Sequence, residues 1–211
     1  MPAPTVDQLF IAAQPQAWQQ AGFDVEDDFC DVGTVRLRFG AEGRGIVAWS
    51  LRDTPTLALD GLDTRESEAP PVAGATHPNG TRSIDHLVVI TPDLDRTTTV
   101  LQDADFDLRR LREGDTPGGS RRQAFFRMGE LILELVEAPE GTSIAADPDG
   151  PARLWGISFL VDDLEVPARL LGDALTDPRD AVQPGRRIAT LADGAALGPA
   201  IAFMSPGPGA I

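Results

Sequence analysis

The chain contains no lysine; all 18 of its basic residues are arginine. It has one cysteine, Cys30, and two histidines, His77 and His86. A lone cysteine excludes an internal disulfide and fits a reducing compartment, so the expected location is cytoplasmic. No histidine neighbours Cys30 in sequence, and it reads as a small half-buried thiol rather than a nucleophile. No apolar run approaches the roughly 18 residues a membrane-spanning helix needs, and no membrane partner is expected. The opening residues "MPAPTVDQLF" lack a basic region followed by an apolar core, so no secretory signal is expected. The histidines lie outside any nucleophile motif, and no Ser-His-Asp pattern is present. "GAEGRG" (40–45) and "PGGS" (117–120) lack the spacing of a dinucleotide or phosphate loop and read as hairpin turns.

Against 18 arginines stand 33 acidic residues, a net charge of -15. Such a chain repels nucleic acid and anionic lipid, and no nucleic-acid partner is expected. It tolerates a cationic ligand, although acidity also serves plain solubility. The 211 residues, 42% of them hydrophobic, suffice for one large domain or two small ones with a full core.

The strongest pattern is an internal repeat. "IDHLVVITPDLDRTTTVLQDADF" (84–106) lies over "LWGISFLVDDLEVPARLLGDALT" (154–176) at a constant offset of 70 residues. Each begins with an apolar strand and turns at an acidic segment. Asp95 and Glu165 suit a helix start, where a carboxylate meets free N–H groups. Downstream, "PGGSRRQAFFRMG" (117–129) matches "PGRRIATLADG" (184–194), and each copy ends in an apolar strand, "LILELVEAP" (131–139) and "PAIAFMSP" (199–206). Each copy reads β-α-β-β-β. A fainter copy lies at the N-terminus, where "AGFDV" (21–25) echoes "ADFDL" (104–108) and "TVRLRFGAEGRGIVAWSLR" (34–52) echoes the later strand–turn–strand. Its helix, opened by Pro15, is short.

The expected organisation is a divergent N-terminal module over 1–52, a linker over 53–82, a module over 83–139, a linker over 140–152 and a module over 153–211. The first linker carries a possible short strand at Leu57–Leu59. His77, in "THPNG", reads as a surface turn residue.

The residues "IDHLVVITPDLD", "LILELVE", "LWGISFLVDDLE" and "AIAFMSP" resemble the vicinal oxygen chelate superfamily, which includes glyoxalase I, extradiol dioxygenases, epimerases and bleomycin-resistance proteins. The resemblance implies an α+β fold in which tandem βαβββ modules form a glyoxalase-like curled mixed sheet around a ligand. It implies a metal held by one residue on the first strand and one on the last strand of each module. His86 falls at the first-strand position and Glu134 near the last-strand position.

Strand alternation places Ile84, His86, Val88 and Ile90 on one face, with Asp85, Leu87 and Val89 on the other. Glu134 shares a face with Ile132 and Val136. Its carboxylate lies between two leucines and needs a partner, and His86 can supply one. Shifting His86 by the repeat offset lands on Gly156, and Phe203 stands about where Glu134 maps. The N-terminal module offers only Gln8 as an oxygen donor. Two donors from one module make an incomplete metal set, so the expected protein binds a small molecule in a cup between modules, with no metal or other cofactor. The alternative is a divalent metal (Zn, Ni, Mn or Fe) on His86 and Glu134, serving a lyase, isomerase or dioxygenase. Without a metal, the same pair suits acid–base chemistry.

In "RRQAFFRM", Gln123, Phe125 and Arg127 alternate with Arg122, Ala124 and Phe126, and either face can be inward. If the first set is inward, it forms a ligand wall. Ser158 and Phe203 are the candidate ligand contacts from the third module. The arginine pairs 121–122 and 186–187 are expected to meet the excess acids. The N-terminal module is expected to pack onto the cup's sheet or to pair across a homodimer.

Overall fold

Among the described residues, thirteen strands form two mixed sheets, accompanied by three helices and a 3-10 turn. The computed structural model describes residues 2–116, 119–192 and 196–207. Pro117 and Gly118, in one expected hairpin turn, lie outside the described residues, as does the side chain of Arg121.

The chain opens with β1 (Thr5–Ile11), α1 (Pro15–Gln20), β2 (Phe29–Val32), β3 (Val35–Arg38), β4 (Ile46–Arg52) and β5 (Thr64–Glu66). These strands form the first sheet, in the order β2-β3-β1-β4-β5. The second sheet begins with β6 (Thr81–Thr91), followed by α2 (Leu94–Asp103), β7 (Asp107–Thr116), β8 (Gly119–Met128) and β9 (Leu131–Glu137). It continues with β10 (Arg153–Val161), α3 (Glu165–Leu171), a 3-10 turn at Gly172–Ala174, β11 (Arg179–Asp180), β12 (Arg187–Thr190) and β13 (Ala200–Met204). Its order is β11-β12-β13-β10-β6-β9-β8-β7.

The repeat is visible in the pairing. The first strand of each βαβββ unit lies parallel to its last, β6 with β9 and β10 with β13. The two first strands meet antiparallel, joining the units into one sheet. Both helices start at the acidic turns. Asp93 caps α2 by accepting from the Arg96 N–H at 2.9 Å, with Asp95 in the first turn. Asp163 accepts from the Glu165 N–H at 2.9 Å at the start of α3.

The N-terminal part departs from the expected module. β3 is parallel to β1 and therefore holds the place of a last strand. β4 is not that strand; it lies antiparallel to β1 on its other side, as β10 does to β6. β5 then lies parallel to β4. Two abbreviated units thus stand where one was expected. The reason is physical: β4 is buried along nearly its whole length, and an interior strand needs neighbours on both edges. Trp49 helps place β5 by donating from Nε1 to Thr64 Oγ1 at 2.8 Å. The strand expected at Leu57–Leu59 is absent, and Leu59 makes only an isolated bridge to Leu62.

The two sheets share one core. Trp18, Phe23 and Phe159 pack as a cluster, with ring centroids 5.0 Å apart between Phe23 and Phe159 and 6.1 Å apart between Trp18 and Phe159. Trp49, Phe106 and Phe126 continue it. The N-terminal sheet therefore packs within the chain on the face of the second sheet opposite the cup. His77 is not a surface turn residue. It is 5% exposed, and the Asp24 N–H donates to its Nδ1 at 3.0 Å. Its ring packs 5.3 Å from Phe23, which the turn sequence alone does not reveal.

Candidate functional site

The free face of the second sheet carries two adjoining chambers of about 390 and 650 Å³. His86 on β6 and Glu134 on β9 line both. Parallel pairing sets Val88 opposite Glu134, one step along the same face from His86. His86 Nε2 lies 3.5 Å from Glu134 Oε2. The other oxygen of Glu134 accepts a hydrogen bond from the Gln123 amide on β8.

Asp85 also faces the cup, contrary to simple alternation. The register between β6 and β10 slips between the pairs Ser158–His86 and Phe159–Ile84, leaving Asp85 as the extra residue of a bulge. Ile84 therefore joins Leu87 and Val89 in the core, and Asp85 turns to the side of His86. His86 Nδ1 lies 2.9 Å from Asp85 Oδ2. Arg186 donates to the other Asp85 oxygen and holds the Ser205 carbonyl at 2.9 Å. Burial pushes the Asp85 carboxyl upward, but hydrogen bonds from His86 and Arg186 outweigh it and hold it below the ordinary value.

Gln123, Phe125 and Arg127 lie on the cup face, since each pairs across β9 with Val136, Glu134 and Ile132 respectively. Phe125 and Arg127 line the larger chamber, and Gln123 reaches Glu134. Ser158 pairs with His86 across β10 and lines the smaller chamber. It is 1% exposed, and its hydroxyl has no hydrogen-bond partner among the described residues. Phe203 is not a cup residue. It is 0% exposed and packs against Phe159, 6.0 Å between centroids, on the core face. Its strand neighbours Ala200 and Ala202 meet the cup instead. One position of register decides this, because β13 alternates faces.

A divalent metal needs several converging donors. The second module supplies His86 and Glu134, while the third presents Gly156, Ser158, Ala200 and Ala202. Gln8 lies in the other sheet, bonded to Asp7 and Arg38. Among the described residues no group of three or more His, Cys, Asp and Glu side chains is placed to hold a metal. His86 also has Nδ1 engaged by Asp85. The donor set does not fit a metal centre of the kind the resemblance implies.

Asp85, Arg110, Arg112 and Arg179 were not legible as site residues. Asp85 reaches the cup through the bulge. Arg110 and Arg112 line the larger chamber from β7, and Arg179 lines the smaller one from β11. The alternation in "DLRRLR" is the signal for Arg110 and Arg112. Trp155, 49% exposed, stands at the smaller chamber. Cys30 is buried and lies in β2 of the N-terminal sheet; burial pushes its thiol far up, away from nucleophilic use.

Solved structures share this architecture. A mutant of 4-hydroxymandelate synthase from Streptomyces coelicolor superposes with a TM-score of 0.66 at 15% identity, over 97% of this chain and 93% of that one. Methylmalonyl-CoA epimerase from Mycobacterium tuberculosis does so with a TM-score of 0.50 at 22% identity, over 61% of this chain and 91% of that one. A xylose isomerase-like TIM barrel/4-hydroxyphenylpyruvate dioxygenase fusion protein matches with a TM-score of 0.59 at 16% identity, over 97% of this chain and 49% of the fusion. No protein family and no curated protein matches by sequence. The chain has the vicinal oxygen chelate fold, and the match along nearly the whole of the synthase agrees with the two paired sheets. No helix among the described residues is long and apolar enough to cross a membrane.

Proposed function

We propose that the chain binds a small organic molecule in the cup of the second sheet and acts on it, without a bound metal, through the His86–Glu134 pair. The observation that carries this reading is the placement of that pair, shared by both chambers, opposite the third-module strands β10 and β13, whose cup-facing positions Gly156, Ser158, Ala200 and Ala202 offer one hydroxyl and no carboxylate or imidazole. A histidine in reach of a carboxylate can accept a proton and return it. Asp85 orients the ring through Nδ1, leaving Nε2 toward Glu134 and the ligand. Gln123 fixes Glu134. Ser158 offers an unused hydroxyl for a polar group on the ligand. Both walls come from one chain, so one copy suffices for binding.

Metal analysis of the purified protein tests this reading. The expected content is far below one metal per chain, unchanged in His86→Ala. Stoichiometric Mn, Fe, Ni or Zn that disappears in His86→Ala overturns it in favour of a metal-dependent lyase, isomerase or dioxygenase. Intrinsic fluorescence tests occupancy of the cup, because Trp18 and Trp49 are 0% exposed while Trp155 stands at the chamber. Ligand quenching is expected to vanish in Trp155→Phe.

A further inference from the structure

The overall charge of -15 favours a cationic ligand, yet the larger chamber has the opposite lining. Arg110, Arg112, Arg127 and Arg186 border it, together with Asp85, Glu130 and Glu134. Arg186 is spent on Asp85, and Glu134 is held by Gln123 and His86. That leaves three arginines against one carboxylate, Glu130. None of the three has an ion-pair partner among the described residues. Elsewhere some arginines are matched, Arg36 with Asp31, Arg52 with Asp7, Arg82 with Asp162 and Arg96 with Asp60, while Arg44, Arg153, Arg169, Arg179 and Arg187 have no ion pair among the described residues and are not gathered in one chamber. With acids in nearly twofold excess, three unmatched guanidinium groups in one cavity are not the product of scarce partners.

Their placement is ordered. Arg110 lies opposite Phe125, and Arg112 opposite Gln123, across the β7–β8 ladder. Arg127 follows Phe125 by two residues on β8 and so shares its face. The three arginines thus occupy neighbouring positions about Phe125 in the β7–β8 ladder and border one chamber with it. The other chamber is lined mostly by apolar side chains, Val88, Ile90, Val136, Ile188 and Trp155 among them, with Arg179 contributed by the edge strand β11, and His86 stands between the two.

We propose that the cup binds an amphipathic anion, with its carboxylate, phosphate or sulfonate held by Arg110, Arg112 and Arg127 and its apolar body against Trp155. Guanidinium groups match such oxyanions with paired, charge-assisted hydrogen bonds. Several like charges bordering one chamber attract an anion together, and the distant surface acids, screened by salt, do not cancel this. The ligand's reacting atom then lies near His86, flanked by its charged and apolar ends. This assignment rests on the cup being the binding site and names the class of molecule it takes.

The experiment uses two dyes of the same aromatic skeleton on the intact chain. 1-Anilinonaphthalene-8-sulfonate carries an anionic group, and N-phenyl-1-naphthylamine carries none. Both are titrated by dye fluorescence and by quenching of Trp155. The sulfonate is expected to bind more tightly, at one site, and more weakly as salt rises. The double variant R112Q/R127Q is expected to weaken sulfonate binding by about tenfold or more while leaving the neutral dye unchanged. R169Q, which removes the same type of charge from an exposed position on α3, is expected to change neither. If both dyes quench Trp155 with equal affinity and R112Q/R127Q binds the sulfonate as the parent does, the anion assignment is overturned while the cup remains the site. An equal loss in R169Q overturns it as well. If neither dye quenches Trp155, the cup itself is not the site, and both proposals fall.

Discussion

Asp85 and His86 are consecutive in β6, yet their side chains meet at 2.9 Å on the same face of the sheet. The bulge that permits this also brings Asp85 to Arg186, so one carboxylate joins the two modules of the cup. Both partners are mostly buried, with side chains 15% and 16% exposed. Asp85→Asn leaves Arg186 without a counter-charge and is expected to lower stability by about 2 kcal/mol at neutral pH. The Asp85 carboxyl is held below its ordinary value of 3.8. Its stabilising contribution is therefore whole above that pH and fades as pH falls through the folded value. Urea midpoints of parent and variant are expected to differ at pH 7 and to draw together as pH falls below 3.8. A gap that stays constant with pH contradicts the assignment.

The repeat made much of this architecture readable. A constant offset and matched acidic turns placed both βαβββ units and the helix starts, because hydrophobic period and capping chemistry are local signals. His86 and Glu134 were singled out by the family resemblance, and the repeat alignment then exposed the gap at Gly156. What stayed hidden depends on register. The bulge at Asp85 changes which residue faces the ligand without changing any residue type, and the face of Phe203 turns on a single position. The role of β4 was hidden for a different reason. Its sequence fits the end of one module as well as the start of another, and only the antiparallel pairing with β1 decides. The arginines of "DLRRLR" carry no sign in the sequence of the cavity they border, which the neighbouring strands of the sheet create.

His77 gives the fold a second acid-sensitive point, remote from the cup. Burial lowers it from its ordinary value of 6.5, its Nδ1 accepts from the Asp24 N–H, and its Nε2 finds no partner among the described residues. Protonation puts a proton where that acceptor lone pair is needed. The unfolded chain therefore takes up the proton more readily, and stability is full above pH 6.5 and declines as pH falls below it. His77→Asn keeps an acceptor near Nδ1 and removes the titration. Thermal midpoints measured at pH 8 and pH 5.5 are expected to fall more in the parent than in the variant. Parallel declines in the two proteins contradict the argument.

Two arginines with several partners each are expected to differ in worth. Arg96 binds Asp60 at 2.9 Å and the carbonyls of Pro148 and Gly150 at 2.6 Å, joining both connecting segments to α2. Asp60 is 12% exposed at its side chain. Arg96→Ala is expected to cost about 2–3 kcal/mol, because a buried carboxylate loses its counter-charge. Arg122 meets Asp95, Glu113 and Glu137, but the first two are 78% and 73% exposed. Arg122→Ala is expected to cost about 1 kcal/mol or less. Urea denaturation of the two variants checks the order, and an equal or reversed loss contradicts it.

Ser158 separates a ligand contact from a structural one. Its hydroxyl is buried beside His86 and has no hydrogen-bond partner among the described residues. A buried hydroxyl left unmade costs free energy, so removing it relieves that cost while leaving only a small void. Ser158→Ala is expected to leave stability unchanged or to raise it by about 1 kcal/mol. If the hydroxyl serves a polar group on the ligand, the same variant weakens binding of a cup ligand that carries one, read as reduced quenching of Trp155. The neutral naphthylamine, with little to offer a hydroxyl, is the control and is expected to bind as before. A variant that loses stability instead shows that Ser158 has a structural partner, and its place in the ligand wall is then withdrawn.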